Sequence, residues 1–141
     1  MITVLDTNVL VYLWDEDPEV NLPARKALDQ ALEAGALWIP APVFAELMAF
    51  PGRSDNFLRT FLRNASISID WHLPESVWTL AGSTFAAYVK RRRRSGGTMT
   101  RRLLTDFLIG AYAHHHGYRL LTFDRGIYAA SFPKLKLTRP I

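Results

Sequence analysis

The chain has 141 residues, 49% of them hydrophobic and 21% charged, a length and balance that suit one folded domain over residues 1–141 and stand far from those of a disordered or membrane chain. It contains no cysteine, so disulfides, thiolate zinc sites and cysteine nucleophiles are excluded, and any metal must be held by oxygen or imidazole. The net charge of +4 is concentrated in Lys90-Arg91-Arg92-Arg93-Arg94 and Arg101-Arg102, which favours an anionic partner.

In chain order, Ile2 to Leu5 is a short apolar run with β-branched residues and reads as a strand buried on both faces, leaving Asp6 at its carboxyl end. Asp6-Thr7-Asn8 then starts a helix. Asp15-Glu16-Asp17 before Pro18 reads as a solvated loop, without the glycine and spacing of a calcium loop. Pro23 to Ala34 is helical with Gly35 as its stop, and Leu37-Trp38-Ile39 is a second strand closed by Pro40. Pro42 suits the first turn of a helix that carries Val43, Phe44, Glu46, Leu47 and Phe50 and ends at Pro51-Gly52.

Ser54 caps a further helix through Arg63, Ile67 to Ile69 makes a third strand, and Pro74 to about Arg92 makes a long helix. Ser95-Gly96-Gly97 breaks the pattern and is expected to be a mobile loop. Thr105 or a neighbour opens a helix through His116, which Gly117 caps; Tyr118 to Phe123 is a strand ending at Asp124, and Leu135-Lys136-Leu137 is a final edge strand. Strands alternating with helices predict an α/β fold with a mainly parallel sheet covered on both faces. In such sheets the ligand site lies beyond the carboxyl ends of the strands, where Asp6 and Asp124 both project.

Four acids stand beside apolar elements, where a rigid scaffold can aim them. Asp6 and Asp124 end strands, Glu46 faces inward from the helix after the second strand, and Asp106 lies in the first turn of the helix after Leu103-Leu104. Gathered without counter-ions they would repel one another and draw protons. A divalent cation removes that cost, and oxygen ligands without His or Cys suit Mg²⁺ or Mn²⁺, which can activate water for attack on a phosphodiester. Each acid also has a plainer role: Asp6 and Asp106 as helix caps, Asp124 as the start of a turn with Arg125-Gly126, Glu46 as an arginine partner. On spacing alone the two readings stand level.

Leu5-Asp6-Thr7-Asn8, Pro42-Val43-Phe44-Ala45-Glu46-Leu47, Thr105-Asp106-Phe107-Leu108-Ile109-Gly110-Ala111 and Leu120-Leu121-Thr122-Phe123-Asp124-Arg125 together resemble the PIN-domain family over essentially the whole chain. The length resembles VapC-type toxins in particular. The resemblance implies a three-layer α/β/α sandwich, with Asp6, Glu46, Asp106 and Asp124 as metal-site carboxylates for Mg²⁺ or Mn²⁺. It implies Thr7, Asn8 and Thr122 as polar neighbours that orient a carboxylate or a water. It further implies an endoribonuclease acting on single-stranded or loop RNA, a homodimer, and an antitoxin whose arm covers the acidic pocket, in a higher assembly. Two departures from the commonest pattern, Gly110 for alanine and Tyr128 for phenylalanine, are expected to leave the chemistry untouched.

The basic run, with Arg91, Arg92, Arg93, Arg94, Arg101 and Arg102, would then form a rim that holds RNA phosphates around an acidic floor; its plainer reading is the solvated end of a long helix. His114-His115-His116 suggests a metal tag, but consecutive helix residues point about 100° apart and do not reach one ion. The aromatics Trp14, Phe44, Phe50, Phe57 and Phe61 read as core or as the wall of an apolar groove for a partner helix. No membrane role is expected, since the N-terminus lacks a signal peptide's basic lead and no stretch approaches a membrane span of roughly 18 apolar residues, and the location expected is cytoplasmic. Against the ribonuclease reading stand an RNA-processing nuclease without a toxin role, a non-catalytic RNA-binding module, a phosphatase or receiver domain, and DNA as substrate. The phosphatase design would need a second strand-end aspartate that Asp6-Thr7-Asn8 lacks.

Overall fold

The apolar run at the N-terminus forms β1 (Ile2–Leu5), in which Val4 and Leu5 are wholly buried and Ile2 is half-buried, as expected of a central strand packed on both faces. The computed structural model describes residues 1–94 and 104–138; Ser95-Gly96-Gly97, Arg101 and Arg102 lie outside the described residues. Among the described residues β1 joins β2 (Ala36–Pro40), β3 (Ile67–Asp70), β4 (Arg119–Leu121) and β5 (Leu137–Thr138) in one sheet of order β3-β2-β1-β4-β5, and every pairing is parallel. Val4 lies in register with Trp38 on one side and Leu120 on the other.

Helices fill the crossovers that parallel strands require: α1 (Thr7–Leu13) and α2 (Pro18–Ala34), α3 (Ala41–Leu47) and α4 (Asp55–Asn64), α5 (Glu75–Arg94) and α6 (Leu104–His116), then α7 (Arg125–Ser131). The result is the expected α/β/α arrangement. Leu10, Leu47, Leu58 and Ile109 close on the sheet from these helices, each wholly buried. The chain steps outward from β1 through β2 to β3, then returns to lay β4 on the other side of β1. The strand order therefore reverses between β1 and β4, and the crevice beyond their carboxyl ends is where such sheets bind ligands.

Several boundaries differ from those expected. Helix α2 begins at Pro18 instead of Pro23, because Asp17 caps it by accepting from the Glu19 N–H at 3.0 Å and Pro18 occupies a first-turn position that needs no N–H. Pro23 then lies inside the helix. Helix α3 stops at Leu47, so Phe50 falls in the following turn and is exposed. Strand β4 ends at Leu121 instead of Phe123, and the segment after Asp124, which had suggested a turn, is α7. Only Leu137 of Leu135-Lys136-Leu137 is in β5, although the Leu120 N–H donates to the Lys136 carbonyl at 2.9 Å.

Gly117 ends α6 with φ +69, in the left-handed region that glycine adopts at least cost. Gly110 has a different reason. A Cβ there would stand 2.3 Å from the ring of Phe132, a side chain 4% exposed. Alanine inside a helix ordinarily gains about 0.5–1 kcal/mol over glycine. Overpacking a buried ring costs about 1–3 kcal/mol and should win. Gly110→Ala is therefore expected to lower the unfolding midpoint in a denaturant titration, and a raised midpoint would refute this packing account.

Candidate active site

Asp6 is the last residue before α1 and sits directly beyond the central strand, with its N–H bonded to the Leu121 carbonyl of β4 at 3.0 Å. Its carboxylate is 4% exposed and held on both oxygens. The Thr7 N–H donates to Oδ1 at 2.8 Å, and the Thr122 hydroxyl donates to Oδ2 at 2.7 Å, with Asn8 Nδ2 at 3.4 Å from the same oxygen. Burial raises the Asp6 pKa, and the bonds from Thr122 and Thr7 offset this only in part; the nearby Glu46 charge raises it further.

Thr122, wholly buried immediately after β4, ties the two strand ends together. While donating to Asp6 it accepts from the Asp124 N–H at 2.9 Å, which fixes the backbone that carries the second strand-end acid. Asn8 spans the same gap, because its Oδ1 accepts from the Phe123 N–H at 3.2 Å. Glu46 projects from α3 and accepts from the Thr7 hydroxyl at 2.6 Å. Thr7, Asn8 and Thr122 thus each contact an acid or the backbone beside one.

All four acids line one cleft of about 470 Å³, together with Thr7, Asn8, Tyr12 and Phe123. Asp106 reaches it from the first turn of α6 and Asp124 from the start of α7. Among the described residues no three His, Asp or Glu side chains are close enough together to hold one ion. The acids border a common space without converging on a point.

Tyr128 is an aromatic whose hydroxyl lies near the acids. Its hydroxyl, on α7, is buried near Asp6 but outside full hydrogen-bonding geometry. Burial, then the charges of Asp6, Asp106 and Asp124, push its pKa well above the ordinary phenol value, so it remains a neutral hydroxyl beneath the acids.

A second cleft of about 400 Å³ adjoins the first through Asp124 and is lined by Arg91 and Arg92 on the last turns of α5. Arg93 and Arg94 are exposed at the end of that helix and do not line it. The consecutive histidines diverge: His114 is 6.4 Å from the Phe132 ring, His115 lies 3.2 Å from Ser76 Oγ, and His116 packs between Tyr112 and Tyr118. Burial lowers the His116 pKa. Phe44 is core, whereas Phe57 stacks on Phe61, Trp14 meets both rings edge-on, and the Arg53 guanidinium lies over Trp14 and Phe57, 4.2 Å from the Trp14 ring.

Replacing Thr122 by valine keeps the shape and removes the hydroxyl. This should leave the buried Asp6 oxygen and the Asp124 N–H without their partner, costing about 1–3 kcal/mol of stability. Activity dependent on Asp6 should fall roughly 10–100-fold, the usual effect of removing a group that orients a ligand. Thermal unfolding beside a cleavage assay checks both, and parental behaviour in each would show that Thr122 orients nothing.

These features define a class: a parallel α/β protein with carboxylates gathered at the point where strand order reverses. The chain belongs to the PIN domain family, whose model matches residues 3–133. No curated protein matches the chain. Among solved structures it is similar to VapBC2 from Rickettsia felis bound to a promoter DNA fragment, with TM-score 0.65 and 22% identity over 98% of both chains. It is also similar to FitAcB from Neisseria gonorrhoeae, with TM-score 0.64 and 23% identity over 99% of this chain and 98% of the other. A toxin-antitoxin complex from Klebsiella pneumoniae gives TM-score 0.63 and 20% identity over 99% and 98%. At these identities the likeness is one of fold.

Proposed function

We propose that this protein is a divalent-metal-dependent endoribonuclease and the toxin half of a VapC-type toxin-antitoxin pair. The observation that carries the reading is the cleft at the β1/β4 reversal, where Asp6, Glu46, Asp106 and Asp124 line one space beside a cleft bearing Arg91 and Arg92. The donor set is all hard oxygen, and the Asp6 carboxylate, buried and raised in pKa, is better served by a cation than by solvent. Asp6 with Asp124 or Asp106 would hold Mg²⁺ or Mn²⁺, with Glu46 facing the same space. When bound, the ion would lower the pKa of water and neutralise charge on a phosphodiester.

The chain's own residues do the rest. Thr122 and the Thr7 N–H fix the two oxygens of Asp6, so the carboxylate keeps one orientation as substrate enters. Thr7 restrains Glu46, leaving its other oxygen to orient a water. Arg91 and Arg92 hold a phosphate next to the scissile one, and the basic sequence proposes the same role for Arg93, Arg94, Arg101 and Arg102.

The partner proposed is an antitoxin protein, in keeping with complexes among the structural neighbours. A groove of about 490 Å³ lined by Leu13, Trp14, Leu28, Leu32 and Phe61 offers an apolar seat for its helix. A homodimer and a higher assembly with the antitoxin belong to the same reading. Among the described residues no helix is long and apolar enough to cross a membrane; a cytoplasmic location is proposed on the same footing.

The test is cleavage of total cellular RNA by purified protein with Mg²⁺ or Mn²⁺, beside EDTA and Asp6→Asn. Discrete products that vanish in both controls support the reading. Products that persist in EDTA overturn it, as does an absence of products with every metal. Growth arrest on expression, relieved by a neighbouring gene's product, separates a toxin from an RNA-processing enzyme.

A further inference from the structure

We infer that the cleft between α5 and α7 is a nucleotide subsite, which seats the phosphate of a single-stranded RNA residue on Arg91 and Arg92 and its base against an apolar wall beside Asp124. The inference rests on the nuclease reading for its place in the substrate path, but the cleft's own chemistry carries it. One side is formed by Tyr88, Arg91 and Arg92, the other by Gly126, Ile127 and Ala130, and Asp124 is a wall shared with the acid cleft. A nucleotide placed here is therefore a direct neighbour of one placed among the four acids.

The charges favour a phosphodiester over other ligands. Among the described residues that line it, two guanidiniums stand against one carboxylate, and guanidinium forks match the paired oxygens of a phosphate group. The cationic side is already arranged. Arg91 Nη2 reaches Ser131 Oγ at 3.4 Å, bringing α5 against α7, and its guanidinium lies 5.8 Å from the Tyr88 ring centroid. Tyr88 in turn packs on the buried Phe107 at 5.4 Å, so ring and cation are held by the core.

The opposite side has the shape for a base. Ile127 is buried and Ala130 and Gly126 are exposed on α7, an apolar surface without a charged group of its own. A Cβ at Gly126 would meet nothing within 4 Å, so the space above it is open. Single-stranded nucleic acids bind through a cationic track with aromatic side chains on which bases stack, which tolerates any base, and in this cleft Tyr88 is the aromatic that faces the α7 wall. An acidic peptide would use the arginines but leave the apolar wall uncovered.

The test is NMR titration of the full chain, with EDTA present, using inorganic phosphate, adenosine and uridine monophosphates, and a five-residue single-stranded RNA. The nucleotides are expected to shift the amide signals of Gly126, Ile127 and Ala130 and to bind about tenfold more tightly than phosphate. The RNA is expected to bind more tightly still; equal affinity of the RNA and a mononucleotide would overturn the strand assignment. Gly126→Leu fills the open space and favours the helix, so it should unfold no lower than the parent while nucleotide affinity falls about tenfold and phosphate affinity holds. Equal binding of phosphate and nucleotide overturns the inference, as do shifts confined elsewhere or a Gly126→Leu variant that binds like the parent. A chain that binds nucleotides here yet cleaves no RNA with any metal sustains the subsite and removes the nuclease reading, so the two fail separately.

Discussion

Asp6→Asn is expected to abolish metal-dependent RNA cleavage and, in the same molecule, to raise the melting temperature by a few degrees in metal-free buffer. Both effects come from one buried carboxylate. Asparagine keeps the size, still accepts from the Thr7 N–H and remains a good helix cap, but its amide N–H replaces the oxygen that accepts from Thr122, so the lost bond offsets part of what removing the buried charge gains. What it loses is the negative charge that would hold the cation. A cation's charge stabilisation is worth several kcal/mol, so the loss in rate should be on the order of a thousandfold or more.

The gain in stability follows from burial. The Asp6 pKa is raised in the folded state, so above that pKa the fold carries a desolvated charge that the unfolded chain leaves in water. As pH falls through the folded pKa, the folded protein takes up the proton first and gains stability; below the unfolded value, near 3.9, the cost is gone. The melting-temperature gap between variant and parent should therefore be widest at neutral pH and close in acid. Mg²⁺ should raise the parent's melting temperature and leave the variant's unchanged. Calorimetry across pH, with and without Mg²⁺, checks this. A variant less stable than the parent at neutral pH would show that the carboxylate is structural.

Arg91→Gln combined with Arg92→Gln is expected to weaken single-stranded RNA binding on the order of tenfold at low salt. Arg91 is exposed and Arg92 half-buried on the last turns of α5. If each neutralises one phosphate, the slope of log affinity against log salt should become shallower by about 1.4, since single strands give about 0.7 per contact. Fluorescence anisotropy of a labelled RNA, in an Asp6→Asn background to prevent cleavage, measures the slope. An unchanged slope would mean that the two arginines touch no phosphate.

Asp6, Asp106 and Asp124 each carry a local signature, an acid after an apolar strand or in the first turn of a helix, whereas Glu46 lies in the last turn of α3 and carries none. That the four border one cleft was suggested by the family resemblance and not by any local pattern, since it depends on β4 returning to the side of β1 opposite β2. Tyr128 shows the same limit. In sequence it is an aromatic in an apolar stretch, and only the packing of α7 brings its hydroxyl under Asp6 and within the field of Asp106 and Asp124. Helix boundaries failed where a capping side chain outranked a proline: Asp17 starts α2 a full turn before Pro23.

The sequence by itself determined the alternation of strands and helices, the strand-end positions of Asp6 and Asp124, the absence of sulfur chemistry and the basic segment, because composition, periodicity and capping are local properties of the chain. Tertiary structure decided which strands are neighbours, that Thr122 bonds both Asp6 and the backbone of Asp124, and that Arg91 and Arg92 open onto a cleft sharing Asp124 with the acids. Those facts join residues separated by up to 116 positions. Such contacts follow from how helices pack the sheet, and no local pattern encodes them.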